Sequence, residues 1–373
     1  MRARHGRLPR RAAAALMTAM LAGLAPATQA DEAASAGAWR DPVDQPSELM
    51  PQAAHALLLG LTEVGNAAVA VGAHGIVLRS TDRSHWEQVA DVPTRSTLTA
   101  VTAVGNKLWA VGHDGVILAS ADAGQHWTLQ RKDPWHAPPG DAATSDPRQG
   151  TPLLDVLFLD ESNGFAVGAY SQLLVTHDGG TTWAAQRVAR PAAGASEAGP
   201  AAGETGTFTR EQLAIGEEAD PHFNAIARTG DGSLFIAGER GVAFRSRDQG
   251  ATWQHLKWPY NGSMFGVIGF EGAKVLVFGL RGHAYESADL GEHWTEVATG
   301  TELSLLGGVR LANGGAALVG ANGLVLLRRS GTEPFRAGVA EPSGALASAL
   351  VAEGGNAFTV VGENGVMRYQ PRQ

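Results

Sequence analysis

Apolar and polar positions along the chain repeat as a unit. Seven apolar runs, from LLLGLTEVG at residues 57–65 through LTAVTAVGN, LLDVLFLDE, FNAIARTGD, MFGVIGFEG and LLGGVRLAN to LASALVAEG at 346–354, each precede a short apolar stretch that closes on glycine. Those closing glycines are Gly72, Gly112, Gly168, Gly238, Gly279, Gly320 and Gly362. A tight turn follows, mostly Gly-x-x-Gly, and then an alternating segment such as VILAS, VAFRS or HAYES. Alternation rich in β-branched and aromatic residues, bracketed by glycines, predicts strands joined by hairpins.

The polar positions keep the same rhythm. In copies two to five an aspartate lies ten residues after the marker glycine and a tryptophan fifteen after it. The resulting octets are Ser120, Asp122, Gly124, Trp127 in SADAGQHW; Asp178, Gly180, Trp183 in THDGGTTW; Ser246, Asp248, Gly250, Trp253 in SRDQGATW; and Ser287, Asp289, Gly291, Trp294 in SADLGEHW. STDRSHW from Ser80 is one residue short, and RRSGTEPF, ending at Phe335, is a decayed copy. A serine, a carboxylate and a histidine in one octet invite a catalytic reading, but a catalytic group is not needed four times. The hydroxyl and carboxylate suit turn N–H groups, glycine permits positive φ, and tryptophan covers apolar surface beside the hairpin. The motif reads as structural.

Each copy therefore holds four strands: the apolar run, the glycine-closed strand, the strand after the turn, and one opening at tryptophan. Marker intervals of 40, 56, 70, 41, 41 and 42 residues give a basic period of about 41 with two insertions. Four-stranded units of that period predict propeller blades, here an all-β, seven-bladed β-propeller over residues 31–373. Copy seven stops after its third strand, and Trp39 precedes the first copy, so Trp39 is expected to open the last strand of blade seven and close the ring.

In this fold the second-to-third turns and fourth-to-first connections share one face, and the aspartate motifs occupy the other. The first of these, the turn face, carries His74, His113, Asp114, Tyr170, Glu239, Arg240, Arg281, Asn322, Glu363 and Asn364, together with the insertions near 131–151 and 187–221. Variable polar side chains beside long loops on a rigid scaffold are where a partner is expected. His74, His113, Tyr170, Arg240 and Arg281 are the turn candidates, and Trp135 and Phe208 the aromatic anchors in the insertions.

The N-terminus differs from the repeats. Five arginines precede an apolar run from Ala12 to Ala25, followed by Thr28 and Ala30, which reads as a signal peptide over residues 1–30 and an exported, periplasmic protein. The run is shorter than the roughly 20 residues a permanent span needs. Without it the chain has 24 basic and 37 acidic residues, a balance of −13 that disfavours nucleic acid. The absence of cysteine excludes disulfides and thiolate chemistry. No Walker loop, Rossmann fingerprint, HExxH, EF-hand or GxSxG element is present, no cofactor or metal is implied, and the protein is expected to be a monomer without enzymatic activity.

Two resemblances bear on function. The aspartate octets resemble the Asp-box of sialidases and other BNR-repeat glycosidases, which keeps open an extracytoplasmic glycan-active protein, either hydrolase or lectin-like binder. The stretches WAVGHDGVILASADAGQHW at 109–127, FAVGAYSQLLVTHDGGTTW at 165–183 and FIAGERGVAFRSRDQGATW at 235–253 resemble the photosystem II assembly and stability factor family, including its members outside photosynthetic organisms. That second resemblance spans nearly all of the chain after residue 30. It implies a seven-bladed, non-catalytic scaffold that binds a membrane protein or membrane-associated complex on its lumenal or periplasmic side.

Overall fold

A computed structural model describes residues 40–134, 150–188 and 220–372, so the expected signal peptide, Trp39 and most of both insertions lie outside the described residues. Each repeat forms one antiparallel sheet in chain order, six with four strands and the seventh with three among the described residues. In blade one these are Leu58–Val64, Ala67–Gly72, Val77–Ser80 and Glu87–Gln88. The first strands of the other blades are Leu98–Val104, Leu153–Phe158, Phe223–Arg228, Met264–Gly269, Leu305–Arg310 and Leu346–Ala352. Each first strand packs beside the next, and Leu346–Ala352 packs beside Leu58–Val64. The result is a seven-bladed β-propeller with the first strands around its axis.

Alternation along the strands decides where the core lies. Successive side chains point to opposite faces of a sheet, and in blade one Val69, Val71 and Val77 pack toward blade two while Ala70, Ile76 and Leu78 pack toward blade seven. The hydrophobic core is thus divided into seven inter-blade layers rather than gathered at the centre.

The marker glycines have one steric cause. The residue after each marker donates its N–H to the carbonyl just ahead of the first strand, as in Ala73 N to Leu57 O at 3.0 Å and His113 N to Thr97 O at 2.9 Å. This draws the carbonyl so close that a Cβ on Gly72 would overlap Leu57 O, and one on Gly112 would overlap Thr97 O. The backbone at Gly112 is extended, with φ of −173°, so close approach rather than left-handed conformation demands glycine there.

Opposite each marker the first strand bulges. The register slips between Leu58 and Gly60, between Leu98 and Ala100, and at the matching point of every other blade. A bulge adds one residue and re-aims its neighbours, which sends Leu59, Thr99, Asp155, Asn224, Phe265 and Ser348, among others, to the wall of the axial channel.

The lead-in to blade one takes a course that was not foreseen. Val43, fully buried, plugs the layer between blades one and two. Pro42 O accepts from Arg95 N at 2.9 Å, Asp44 pairs with Lys132, and Ser47 N donates to Val92 O at 2.8 Å. Asp41–Ser47 therefore cross blade one on the turn face, toward blade two. The expected closing strand at Trp39 lies outside the described residues.

Replacing Gly112 with alanine should lower stability by about 1–3 kcal/mol, the usual cost of forcing extra volume into a packed site. Denaturant unfolding of Gly112→Ala beside the wild-type chain checks this, and an unchanged midpoint would contradict it.

Candidate functional site

The aspartate octets are self-contained turns. In blade two Ser120 Oγ accepts from Gly124 N at 3.0 Å and donates to Asp122 Oδ1 at 2.9 Å. Asp122 Oδ1 also accepts from His126 N at 2.9 Å, while its Oδ2 lies 2.6 Å from His126 Nδ1. In blades three and four Thr182 and Thr252 replace that histidine, each donating a hydroxyl to Oδ2 of its aspartate at 2.6 Å. Blade five repeats the histidine form, with His293 Nδ1 2.7 Å from Asp289 Oδ2. The short copy in blade one keeps the same logic: Arg83 N donates to Ser80 Oγ at 2.8 Å, and Trp86 Nε1 donates to Arg83 O at 3.3 Å.

These bonds hold the carboxylates ionised. The Thr182 hydroxyl, then its N–H and Thr176, keep Asp178 at about 2, and Thr252 with Ser246 does the same for Asp248. At Asp122 partial burial opposes ionisation, but the bonds from His126, Ser120 and Gln125 outweigh it and leave the group at about 2. Permanently charged acids with every oxygen engaged in the turn are poor proton donors or acceptors for a substrate.

The octets also join blades. Each turn places a residue at positive φ, Ala123 at 58°, Gly179 at 73°, Gln249 at 56° and Leu290 at 57°, and presents a carbonyl to the preceding blade. Arg79 Nε donates to Ala123 O at 2.9 Å, Gln130 Nε2 and Trp109 Nε1 to Gly179 O at 3.0 Å, and Gln186 Nε2 to Gly250 O at 3.0 Å. Arg245 Nη1 donates to Leu290 O at 3.1 Å. Where the octet is shortened or decayed an arginine takes over. Arg83 Nη1 donates to Val351 O of blade seven at 2.7 Å, Arg328 of blade six pairs with Glu286 of blade five at 2.5 Å, and Arg329 Nη1 donates to Gly355 O of blade seven at 3.2 Å.

On the axial channel Asp155 is the one carboxylate among its described lining residues. The residue as a whole is half-buried, but its carboxylate is turned into the junction with blade four. There Oδ2 accepts from Ile226 N at 2.9 Å, and Oδ1 accepts from Val156 N at 2.8 Å. Burial dominates and pushes the acid up to about 6, against the lowering effect of those two N–H groups. Asn224 Nδ2 to Met264 O at 2.9 Å and Thr99 Oγ1 to Leu153 O at 2.7 Å are further cross-blade bonds. The polar channel groups face one another's backbones, which suits a structural role.

The turn face holds the five described binding candidates, His74, His113, Tyr170, Arg240 and Arg281. His74, Asp114, Tyr170, Arg240, Arg281 and Asn322 all take left-handed backbone, with φ between 52° and 56°, at the turn apices. His113 sits one position earlier than His74 in its turn, so the two histidines are not equivalents, and the apex beside it is Asp114, whose Oδ2 accepts from Ser96 Oγ at 2.7 Å. No metal-binding group of three or more ligand residues exists among the described residues. His74, His113, Arg240 and Arg281 are exposed, whereas Tyr170 is half-buried against His222, with ring centroids 5.3 Å apart. Trp135 and Phe208 lie outside the described residues.

Sequence reasoning missed the aromatic partners of these apices. The connection after blade four brings Tyr260 onto His283 with ring centroids 4.2 Å apart, and Trp258 onto Tyr285 at 5.7 Å. Gly241, next to Arg240, donates its N–H to Gly262 O at 3.1 Å. Across blades three to five Tyr170, His222, Arg240, Tyr260, Arg281 and His283 thus share one face. WPY at 258–260 was the available signal, since aromatics in a connection that precedes a buried strand have a turn to pack against.

Comparison with solved structures agrees with this architecture. YCF48 bound to D1 peptide superposes with a TM-score of 0.59 at 15% identity, covering 89% of this chain and 96% of that one. YCF48 from Cyanidioschyzon merolae gives 0.59 at 15%, covering 87% and 98%, and the WD40 β-propeller domain of Doa1 gives 0.59 at 10%, covering 89% and 97%. The shared property is the propeller fold. No family model matches the sequence, and neither does any curated protein.

The acids impose two pH windows of opposite sign. Asp248, lowered from 3.8 to about 2, supports the fold above pH 3.8, and this support is lost as pH falls through about 2. Asp248→Asn should therefore flatten the acid limb of a stability curve below pH 4. Asp155, raised from 3.8 to about 6, favours the fold when protonated, so its contribution is complete below pH 3.8 and is lost as pH rises through about 6. Thermal unfolding of Asp155→Asn between pH 4 and 7.5 should remove that decline, and a decline identical to wild type would refute the assignment.

Proposed function

We propose that this protein is an exported, periplasmic, non-catalytic scaffold that binds a membrane protein or membrane-associated complex through its turn face. The observation that carries the reading is the pairing of Arg240 and Arg281, both exposed at matching apices of blades four and five, beside the half-buried aromatics Tyr260, His222 and His283. Cations held on rigid left-handed turns and flanked by aromatic rings suit an acidic, partly apolar peptide segment, since arginine and aromatic residues dominate interface energetics. The fold likeness to YCF48, a structure of which contains a D1 peptide, supports the same class of partner. Full engagement of the octet acids within their own turns also favours binding over hydrolysis.

The test is a crosslinking pull-down from native membranes. The chain from Asp31 onward should capture a membrane protein, and Arg240→Glu combined with Arg281→Glu should reduce capture at least tenfold at an unchanged melting temperature. Undiminished capture by the double variant would remove the turn face from the binding site. Absence of any specific membrane partner, with activity on a glycan instead, would overturn the scaffold reading.

A further inference from the structure

Six of the seven inter-blade layers contain an aromatic side chain carried in from the fourth-strand side of the following blade. Trp86 packs between blades seven and one, Trp127 between one and two, Trp183 between two and three, Trp253 between three and four, Trp294 between four and five, and Phe335 between five and six. The layer between blades six and seven has no fourth-strand aromatic among the described residues, though Tyr369 of the third strand packs into it against Gly338 of blade six. A groove of about 510 Å³ runs there instead, lined by Leu327, Arg329, Arg336, Val339, Tyr369 and Arg372 with others.

Blade seven differs from its neighbours in the same place. Its third strand, Gly365–Tyr369, has no hydrogen-bonded strand on its outer edge among the described residues, and only its start is covered, where Ala54 O lies against Gly365. Val366 and Met367 on this strand are half-buried, whereas Leu78, Leu118 and Leu326 on the third strands of blades one, two and six are fully buried. Exposed large apolar side chains lie on the flanking elements. Val339, 53% exposed, belongs to the last strand of blade six, and Leu49 and Met50, 64% and 41% exposed, lie on the lead-in. Met50 N donates to Gln88 Oε1 at 2.7 Å, and Gln88 pairs with Leu78, whose side chain faces blade seven.

The described lead-in does not complete this sheet, because from Ser47 back to Asp41 it crosses toward blade two. The groove is also charged unequally, with Arg329, Arg336 and Arg372 against Glu333 and Glu341. We propose that the outer edge of blade seven receives an extended segment of a partner protein. The segment adds as a fourth strand antiparallel to Val366–Tyr369, seats an aromatic side chain in the groove and sets an acidic residue toward Arg336 and Arg372. Backbone pairing at an open sheet edge supplies affinity, and the aromatic slot supplies selection. This surface is distinct from the arginine apices of blades four and five.

A suitable probe is the labelled peptide His-Trp-Thr-Glu-Val-Ala-Thr, which copies His293–Thr299 of blade five and carries both the aromatic and the acid. Titrated into the chain from Asp31 onward, it should bind saturably and slow hydrogen exchange at Val366–Tyr369. Val339→Glu in the protein, or alanine for tryptophan in the peptide, should each weaken binding at least tenfold, with the melting temperature of the protein variant unchanged. Three results would overturn the proposal: no saturable binding, protection confined to another surface, or exchange at Val366–Tyr369 in the free protein already as slow as at Val77–Ser80. The last would mean that the chain itself or a second copy covers the edge.

Discussion

A ring of sheets depends on what joins one sheet to the next, because no backbone ladder crosses from blade to blade. Here the join on the octet face is a side-chain donor from one blade to a carbonyl at the turn of the following blade, as in Arg79 to Ala123, Gln130 to Gly179, Gln186 to Gly250 and Arg245 to Leu290. The carbonyl is aimed outward because the turn holds a residue at positive φ, a conformation that costs free energy for residues such as Ala123 and Leu290. The Ser/Thr–Asp hydrogen bonds within the octet offset that cost by engaging the turn's N–H groups. The aspartate therefore acts at one remove: it fixes the turn, the turn aims the carbonyl, and the carbonyl fixes the neighbouring blade.

The turn face is built on a second close approach. The carbonyl ahead of each first strand is gripped by the residue after the marker glycine, so the apex that follows has little freedom. Side chains at these apices can vary without moving the backbone, and the chain places histidine, aspartate, tyrosine, arginine and asparagine there. A face whose side chains are free to change while its frame is not suits recognition. The axial channel contrasts with it, since Asp155, Asn224 and Thr99 spend their polar groups on adjoining first strands.

Blade seven shows the same rules under strain of composition. Its marker Gly362 and bulge at Leu346 are regular, yet the described strands stop at three, and Tyr369 of the third strand stands in this layer where every other layer has a fourth-strand aromatic. The consequence is local: an apolar sheet edge, a groove against blade six, and exposed Val339 beside it.

The sequence by itself determined the architecture. Seven marker glycines at a period of about 41, four alternating segments per period and repeated aspartate octets are local signals, and each needs only neighbouring residues to be read. It also grouped the turns into two faces and led, through their repetition, to a structural reading of the octets. Tertiary structure alone decided what joins the parts. The bulges that aim Asp155 into the channel junction, the donor pairs between blades, the stacking of Tyr260 on His283 and the course of Asp41–Ser47 over blade one all involve partners more than about 20 residues apart. Periodicity reports which face of a strand is apolar, but a contact across blades depends on sheet twist and ring closure, which no single repeat encodes.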